Sequence, residues 1–310
     1  MKEKKLVSVV LPVCNEPLHI MKKAIDSILS QTYKNIEVII IVDNPNNDEL
    51  TAFLQAFEDN RIRILKNEKN IGLAASLNKG IRYARADIIA RMDGDDISFP
   101  DRIERELQFL EENNYDLVAT DINTINEEGE IIQSKYFVPR SQREFEKRIR
   151  YEDCVIHPTW LFRRSCYDSV LGYKEILPAA QDYEFVYHAY VLGNRIGCLD
   201  KKLLSYRIRK GNISDTKKIQ QLFIAYYTKR TYRKNKQFSN EYIERALRGE
   251  EKEYICFKKQ LEWCNINVVP KKGLKKKVLQ LCCFIRYKYA REIYTDIFLA
   301  KMCRILYGKQ

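Results

Sequence analysis

Four short apolar runs, with stretches of helical spacing between them, constrain this chain of 310 residues more than any other feature. Residues 6–12 form a β-branched run closed by Pro12, residues 36–42 a second that ends at Asp43, residues 62–65 a third, and Ile88-Ile89-Ala90-Arg91 a fourth that leads into Asp93. Such runs read as buried strands of a parallel sheet. Between the first two, Pro17 opens a helix within residues 17–31 on which Ile20, Ala24, Ile28 and Leu29 recur at helical spacing, and residues 47–59 and 72–84 repeat the pattern. Alternation of this kind predicts an α/β fold with right-handed crossovers, a mostly parallel sheet and flanking helices on both faces. Ligands of such sheets bind beyond the carboxyl ends of the strands, where Asp43 and Asp93 fall.

The fourth run breaks into Asp93-Gly94-Asp95-Asp96. Gly94 lets the backbone turn sharply, so Asp93 and Asp95 can aim at one point, and their mutual repulsion calls for a cation. A divalent metal is the natural occupant. Turns also favour Asp and Gly for local reasons, so these residues alone leave a plain turn open, as does Asp43-Asn44-Pro45. In the segment from Asn70 to Gly80, Gly72 permits close approach to the backbone and the helix behind it favours a phosphate. Ordinary loop and C-terminal glycines are the plainer account of the same residues.

Further along, Ile103, Leu107 and Leu110 predict a helix, residues 116–120 a strand, and Asn126-Glu127-Glu128-Gly129 a turn into another short strand. From residue 141 the pattern is mixed α+β. His157-Pro158-Thr159-Trp160-Leu161-Phe162 reads as extended, residues 182–192 as a helix, and residues 195–206 as two short strands around Asp200-Lys201. Beyond Ser214 come long helical stretches rich in Tyr and Lys, which divides the chain into residues 1–214 and a helical region, residues 215–310.

With Pro12-Val13-Cys14-Asn15-Glu16, Asp43, the Asn70-to-Gly80 segment and the Asp93-Gly94-Asp95-Asp96 turn in this order, residues 5–214 resemble a family 2 glycosyltransferase with the GT-A fold. The resemblance implies a Rossmann-like sheet and an inverting transfer. It assigns nucleotide binding to Pro12, Asn15, Glu16 and Asp43, joined by Asn70, Gly72, Asn78 and Asp93. It assigns a divalent metal, Mn2+ or Mg2+, to Asp95 with Asp93 close by. Gln181-Asp182-Tyr183-Glu184-Phe185 resembles the family's Glu-Asp motif, whose aspartate is the general base, so Asp182 is the catalytic candidate; a helix N-cap is its plainer reading. A sugar hydroxyl is a poor nucleophile, and a positioned carboxylate contributes ~10²–10⁴-fold. The metal offsets charge on the departing diphosphate.

His157-Pro158-Thr159 matches a family segment beside the acceptor pocket, although a lone histidine is more often structural. Trp160 and Phe162 alternate and read as core, with sugar stacking by Trp160 the sharper alternative. The chain departs from the family pattern at four places. Gln181 replaces a glutamate, Cys14 an aromatic, and Asp43-Asn44-Pro45-Asn46 the usual Asp-Asp-Gly-Ser. In Tyr206-Arg207-Ile208-Arg209-Lys210-Gly211-Asn212-Ile213-Ser214, Arg209 stands where histidine often occurs; it can hold a diphosphate but cannot ligate a metal.

Charge is unevenly placed. Residues 215–310 hold 23 Lys and Arg against 9 Asp and Glu, while residues 1–214 hold 31 against 33, so a near-neutral body carries a basic tail. The tail's charge concentrates in residues 229–236 and 271–277, and Leu281, Ile285, Tyr289, Ile293, Ile297 and Phe298 predict an apolar stripe with basic neighbours. That combination suits an anionic membrane surface, a solvated helical subdomain or a dimer contact. The longest apolar stretch near the C-terminus, residues 278 to 285, interrupted by Gln280, is 8 residues and far short of the ~20 that span a bilayer. Nine cysteines without a Cys-x-x-Cys pair, and a charged start at Met1-Lys2-Glu3-Lys4-Lys5 that is no secretory signal, fit a reducing cytosol.

The reading that follows is an inverting transferase moving a sugar from a nucleotide-diphosphate donor, a UDP-sugar, to a hydroxyl of a lipid-linked or growing surface polysaccharide. It places the protein in the cytoplasm at the inner face of the cell membrane and leaves oligomeric state open. A nucleotidyltransferase is the first alternative, but Cys14-Asn15-Glu16 is acidic where a triphosphate loop carries Gly and Lys. A basic nucleic-acid-binding protein is the second; the charge lies in the tail and the body carries no recognition motif, so no nucleic acid is expected.

Overall fold

The computed structural model describes residues 5–133, 138–209, 217–267, 280 and 288–307. Strands β1 (Val7–Val13), β2 (Ile36–Val42), β3 (Ile62–Lys66) and β4 (Ile88–Arg91) alternate with helices α1 (Leu18–Leu29), α2 (Asp48–Gln55) and α3 (Leu73–Tyr83). All four strands run parallel in the order β3-β2-β1-β4. Every residue of β1 and β2 is buried, which is why both read as unbroken apolar runs. Their side chains alternate between two cores: Val10, Ile39 and Ile41 on one face, Val9, Leu11, Val38 and Ile40 on the other.

The sheet continues through β5 (Ile97–Ser98), β6 (Leu117–Ile125), β8 (Leu161–Arg163) and β9 (Ile196–Arg207), with β7 (Ile131–Gln133) paired to β6. Strand β8 enters antiparallel between β4 and β6, and β9 runs parallel to β6. Helices α4 (Arg102–Glu112), α5 (Gln142–Arg148), α6 (Arg164–Ser169) and α7 (Gln181–Val191) complete the body. Two sequence expectations change here. His157–Thr159 is a 3₁₀ turn rather than extended chain; Thr159 Oγ1 donates to the Ile156 carbonyl at 2.7 Å, and extension begins at Leu161. In place of the two short strands expected over residues 195–206 there is one, Ile196–Arg207, because Asp200-Lys201 is a bulge: Thr120 faces Leu199 while the next residue, Asp121, faces Lys202.

Beyond residue 217 the described helices are Lys218–Arg233, Asn240–Leu247, Lys252–Asn267 and Lys288–Tyr307. They share the body's core: Phe223, Tyr232, Phe257 and Tyr289 belong to the same buried cluster as Trp160, Phe162 and Phe185. The first basic cluster is therefore only partly a free surface, with Lys234 and Lys236 exposed and the other three engaged. Lys229 is buried against Asp296, Arg230 pairs with Glu253, and Arg233 donates to the Arg150 carbonyl. The apolar stripe is split in the same way, with Tyr289 buried, Ile293 packed on the core, and Ile297 and Phe298 exposed. Leu281, Ile285, the cluster at residues 271–277 and the segment from Lys210 to Ser214 lie outside the described residues. No described helix is long and apolar enough to cross a membrane.

Candidate active site

The carboxyl ends of β1, β2 and β4 converge with the end of β9. A Cβ on Gly94 would lie 2.8 Å from the Val13 side chain, so glycine is what lets the acidic turn sit against β1. Asp93 pairs with Arg91 Nη2 at 2.5 Å, and Asp95 accepts from Arg209 Nε at 2.8 Å. Asp96 is fully buried; one oxygen accepts the Arg207 backbone N–H at 2.8 Å and the other has no partner among the described residues. Burial, with Asp93 adding, pushes the Asp95 carboxyl up to about 6, and burial beside Asp93 and Asp95 raises Asp96 well above the carboxylate range.

Carboxylate oxygens of Asp93, Asp95 and Asp96 all lie within 4.8 Å of one another. An oxygen-only donor set with one buried, unpartnered oxygen fits a hard divalent cation such as Mg2+ or Mn2+. Asp96 therefore joins the set that the sequence limited to Asp93 and Asp95. Behind the turn, Arg102 is fully buried, donating to the Arg91 carbonyl at 2.5 Å and to Ser98 Oγ at 2.9 Å while pairing with Glu106 at 3.1 Å. It fixes the backbone from which the acidic turn departs.

Asp43, just past β2, organises the second loop. Its carboxylate accepts from Asn67 Nδ2 at 2.8 Å, from the Ile71 N–H at 2.8 Å and from the Gly72 N–H at 2.9 Å. Gly72 caps α3 with φ +84°, a conformation that L side chains resist, and its Cα hydrogen faces open space. The rim is completed by Asn15, which accepts from Asn44 Nδ2 at 2.7 Å, and by Asn70, whose Nδ2 lies 3.4 Å from Cys14 Sγ. Glu16 accepts the Cys14 N–H at 2.7 Å, and burial raises its carboxyl. Pro12 is buried within β1 opposite Ile41.

Asn78 is placed elsewhere. Its Nδ2 donates to the Tyr173 carbonyl and to Glu175, both at 2.9 Å, and its Oδ1 accepts from Tyr167 at 3.0 Å and from the Tyr173 N–H at 2.9 Å. With its amide so engaged, Asn78 holds the chain that leads to α7 rather than facing the donor loops.

On the other side, α7 starts after Ala180, a buried non-glycine residue at φ +54°. Asp182 is the second residue of the helix and not its N-cap; Oδ1 accepts its neighbour Tyr183's N–H at 2.8 Å. Burial raises its carboxyl, with the Arg91 charge acting against the rise. Asp153, which sequence reasoning missed, lies close enough that burial and then the Asp182 charge raise it well above the usual range. His157 is buried, bonded through Nε2 to the Tyr173 hydroxyl at 2.9 Å, and burial depresses its pKa, which suits a structural imidazole. Trp160 is fully buried between His157 and Phe185, leaving no face for a sugar.

Arg91 joins the two sides. It is 3% exposed, binds Asp93 through one nitrogen, and leaves Nε and Nη1 without partners among the described residues. Nothing in the sequence marks it, since a buried arginine reads like a surface one.

A parallel half-sheet continued by an antiparallel insertion, with acidic and amide side chains at its strand ends, defines a GT-A-type enzyme. The chain belongs to glycosyl transferase family 2, whose model matches residues 8–171, and it is a glycosyltransferase. It is 36% identical to an uncharacterized glycosyltransferase of Methanocaldococcus jannaschii over 76% of this chain and 81% of that one. It is 32% identical to the O-antigen biosynthesis glycosyltransferase WbnJ of Escherichia coli, over 67% of this chain and 80% of that one. The same fold appears in S. aureus TarS 1-349 in complex with UDP-GlcNAc, at TM-score 0.61 and 16% identity, covering 98% of this chain and 91% of that one.

Proposed function

We propose that this glycosyltransferase inverts the anomeric centre of a UDP-linked sugar as it passes the sugar to a hydroxyl of a lipid-linked or growing surface polysaccharide. One observation carries the reading: Arg91 pairs with the acidic turn at the end of β4, where a donor diphosphate belongs, and its charge is felt by Asp182 at the start of α7, where an acceptor would be met. The UDP-GlcNAc complex of TarS supports a UDP-sugar, and the O-antigen role in WbnJ's name supports a polysaccharide acceptor.

In this mechanism Asp43 braces the loop that receives the nucleotide, with Asn15, Glu16 and Asn70 at its rim. Asp93, Asp95 and Asp96 would hold a divalent metal, which would supply positive charge against the departing diphosphate. Asp182 takes the proton from the acceptor hydroxyl, which attacks the anomeric carbon from the face opposite the diphosphate. Its carboxyl, raised by burial, sits closer to neutrality than a free aspartate and so matches the proton it must accept. Screening UDP-, GDP- and CDP-linked sugars for Mn2+-dependent hydrolysis tests the donor assignment; turnover confined to a GDP- or CDP-sugar would overturn it.

The exposed Ile297 and Phe298, beside exposed Arg291 and Lys301 on the last described helix, support docking on an anionic membrane. Phe298→Asp in the full chain should reduce flotation with anionic liposomes, and unchanged flotation refutes this docking face.

A further inference from the structure

Two arginine side chains pair with carboxylates of the acidic turn, and they are held differently. Arg91 is fixed at both ends: its side chain is 3% exposed and paired with Asp93 at 2.5 Å, its N–H donates to the Trp160 carbonyl at 2.8 Å, and its carbonyl accepts from Arg102. Arg209 lies two residues beyond the end of β9, with 24% of its side chain exposed, and reaches Asp95 through Nε at 2.8 Å. The charge of Glu16 lies within its reach as well. Arg209 is thus a part-exposed cation past the strand end, whereas Arg91 is built into the sheet.

A guanidinium carries only donors and can never ligate a metal. At Asp95 it does electrostatically what a metal would do, because its Nε lies 2.8 Å from a carboxylate that shares the turn with Asp93 and Asp96. Among the described residues Asp96 keeps a buried oxygen with no partner, whereas an Asp95 oxygen already accepts from Arg209, so a metal taking that oxygen would displace the guanidinium. Diphosphate oxygens are strong acceptors that arginine binds in bidentate geometry, which gives the departing guanidinium a better partner nearby.

We propose that Arg209 is a resident counter-cation that competes with the divalent metal for Asp95 and moves to the donor's diphosphate when metal and nucleotide bind together. This rests on the metal assignment made above. The exchange makes the two ligands cooperative: the metal frees Arg209 for the diphosphate, and the diphosphate draws Arg209 off the metal's ligand. By linkage, UDP must raise the affinity for Mn2+ by the same factor as Mn2+ raises the affinity for UDP.

The test is Mn2+ binding to the full chain, followed by loss of the free-ion electron paramagnetic resonance signal, with and without UDP. Arg209→Met should bind Mn2+ alone roughly tenfold more tightly than wild type, the scale of a half-buried ion pair, and should lose most of the enhancement by UDP. Arg209→Lys, which keeps the charge, should restore weak binding of Mn2+ alone. Equal or weaker Mn2+ binding by Arg209→Met, with Asp95→Asn losing Mn2+, overturns the competition and leaves the metal site standing. If Asp95→Asn binds Mn2+ like wild type, the metal assignment at Asp95 fails and the proposal falls with it. Arg209→Gln, closer in shape, replaces Arg209→Met if that variant melts early.

Discussion

The proposed donor half of the site is made of strand ends, the proposed acceptor half of a 3₁₀ turn, loops and a helix start, and charge is managed differently in each. Around the acidic turn, carboxylates meet cations or backbone N–H groups: Asp93 with Arg91, Asp95 with Arg209, Asp96 with the Arg207 N–H. Around Asp182 the structure gives carboxylates only backbone donors, Tyr183 for Asp182 and Val155 for Asp153. Burial raises carboxyls in both halves, but only the acidic turn sets side-chain cations against them, which suits it to presenting charge to a cation, whereas the carboxylates that face one another beside α7 are suited to passing a proton.

Removing one carboxylate from each half should separate binding from chemistry. Asp182→Asn is expected to lower turnover by ~10²–10⁴-fold while calorimetric affinity for UDP with Mn2+ stays at the wild-type level; near-normal turnover would remove Asp182 from the role of base. Asp95→Asn should do the reverse, weakening Mn2+-dependent UDP binding by about 10–100-fold with an unchanged melting temperature. If both variants lose affinity for UDP alike, the division into two halves is wrong.

A smaller effect sharpens the contrast within α7. Glu184 is fully buried, accepts from Tyr232, and is pushed by burial from an ordinary 4.5 up to about 7. A carboxyl raised on folding stabilises the protein fully below its unfolded value and loses that contribution as pH rises through the folded one. His188, depressed by burial to about 4, runs the other way, its stability rising with pH between about 4 and 6.5. Glu184→Gln therefore isolates the first trend: relative to wild type, denaturant-measured stability should improve by up to about 3 kcal/mol from pH 4.5 to pH 8. A flat difference across that range would show that Glu184 does not titrate on the folded protein.

What the sequence disclosed follows from the same contrast. Strands buried on both faces announce themselves as apolar runs, so β1 to β4 and the carboxylates that end them, Asp43 and Asp93, were legible by position alone. Asp182 was legible only through a motif, and Asp153 not at all, because an isolated carboxylate in a loop carries no periodic signal. Arg91, Arg102 and Arg207 escaped because a buried arginine differs from a surface one only in partners that lie elsewhere in the chain. Asn78 misled for that reason: its position after Gly72 suggested a ligand, but the groups that claim its amide lie up to 97 residues away. In the tail, composition showed a basic segment and could not show that Lys229 is turned inward to Asp296.

The hydrogen bond from Tyr232 to Glu184 has a consequence for anyone recombining members of this family. Glu184 stands two residues after Asp182 on α7, so the helix that carries the proposed base is braced from outside by residues that follow position 217. A chimera joined at residue 214 would exchange that brace along with the tail. Swapping C-terminal regions between relatives is accordingly a change to the active site, and donors of such segments need to be matched at Thr228 and Tyr232 before they are matched in length or charge.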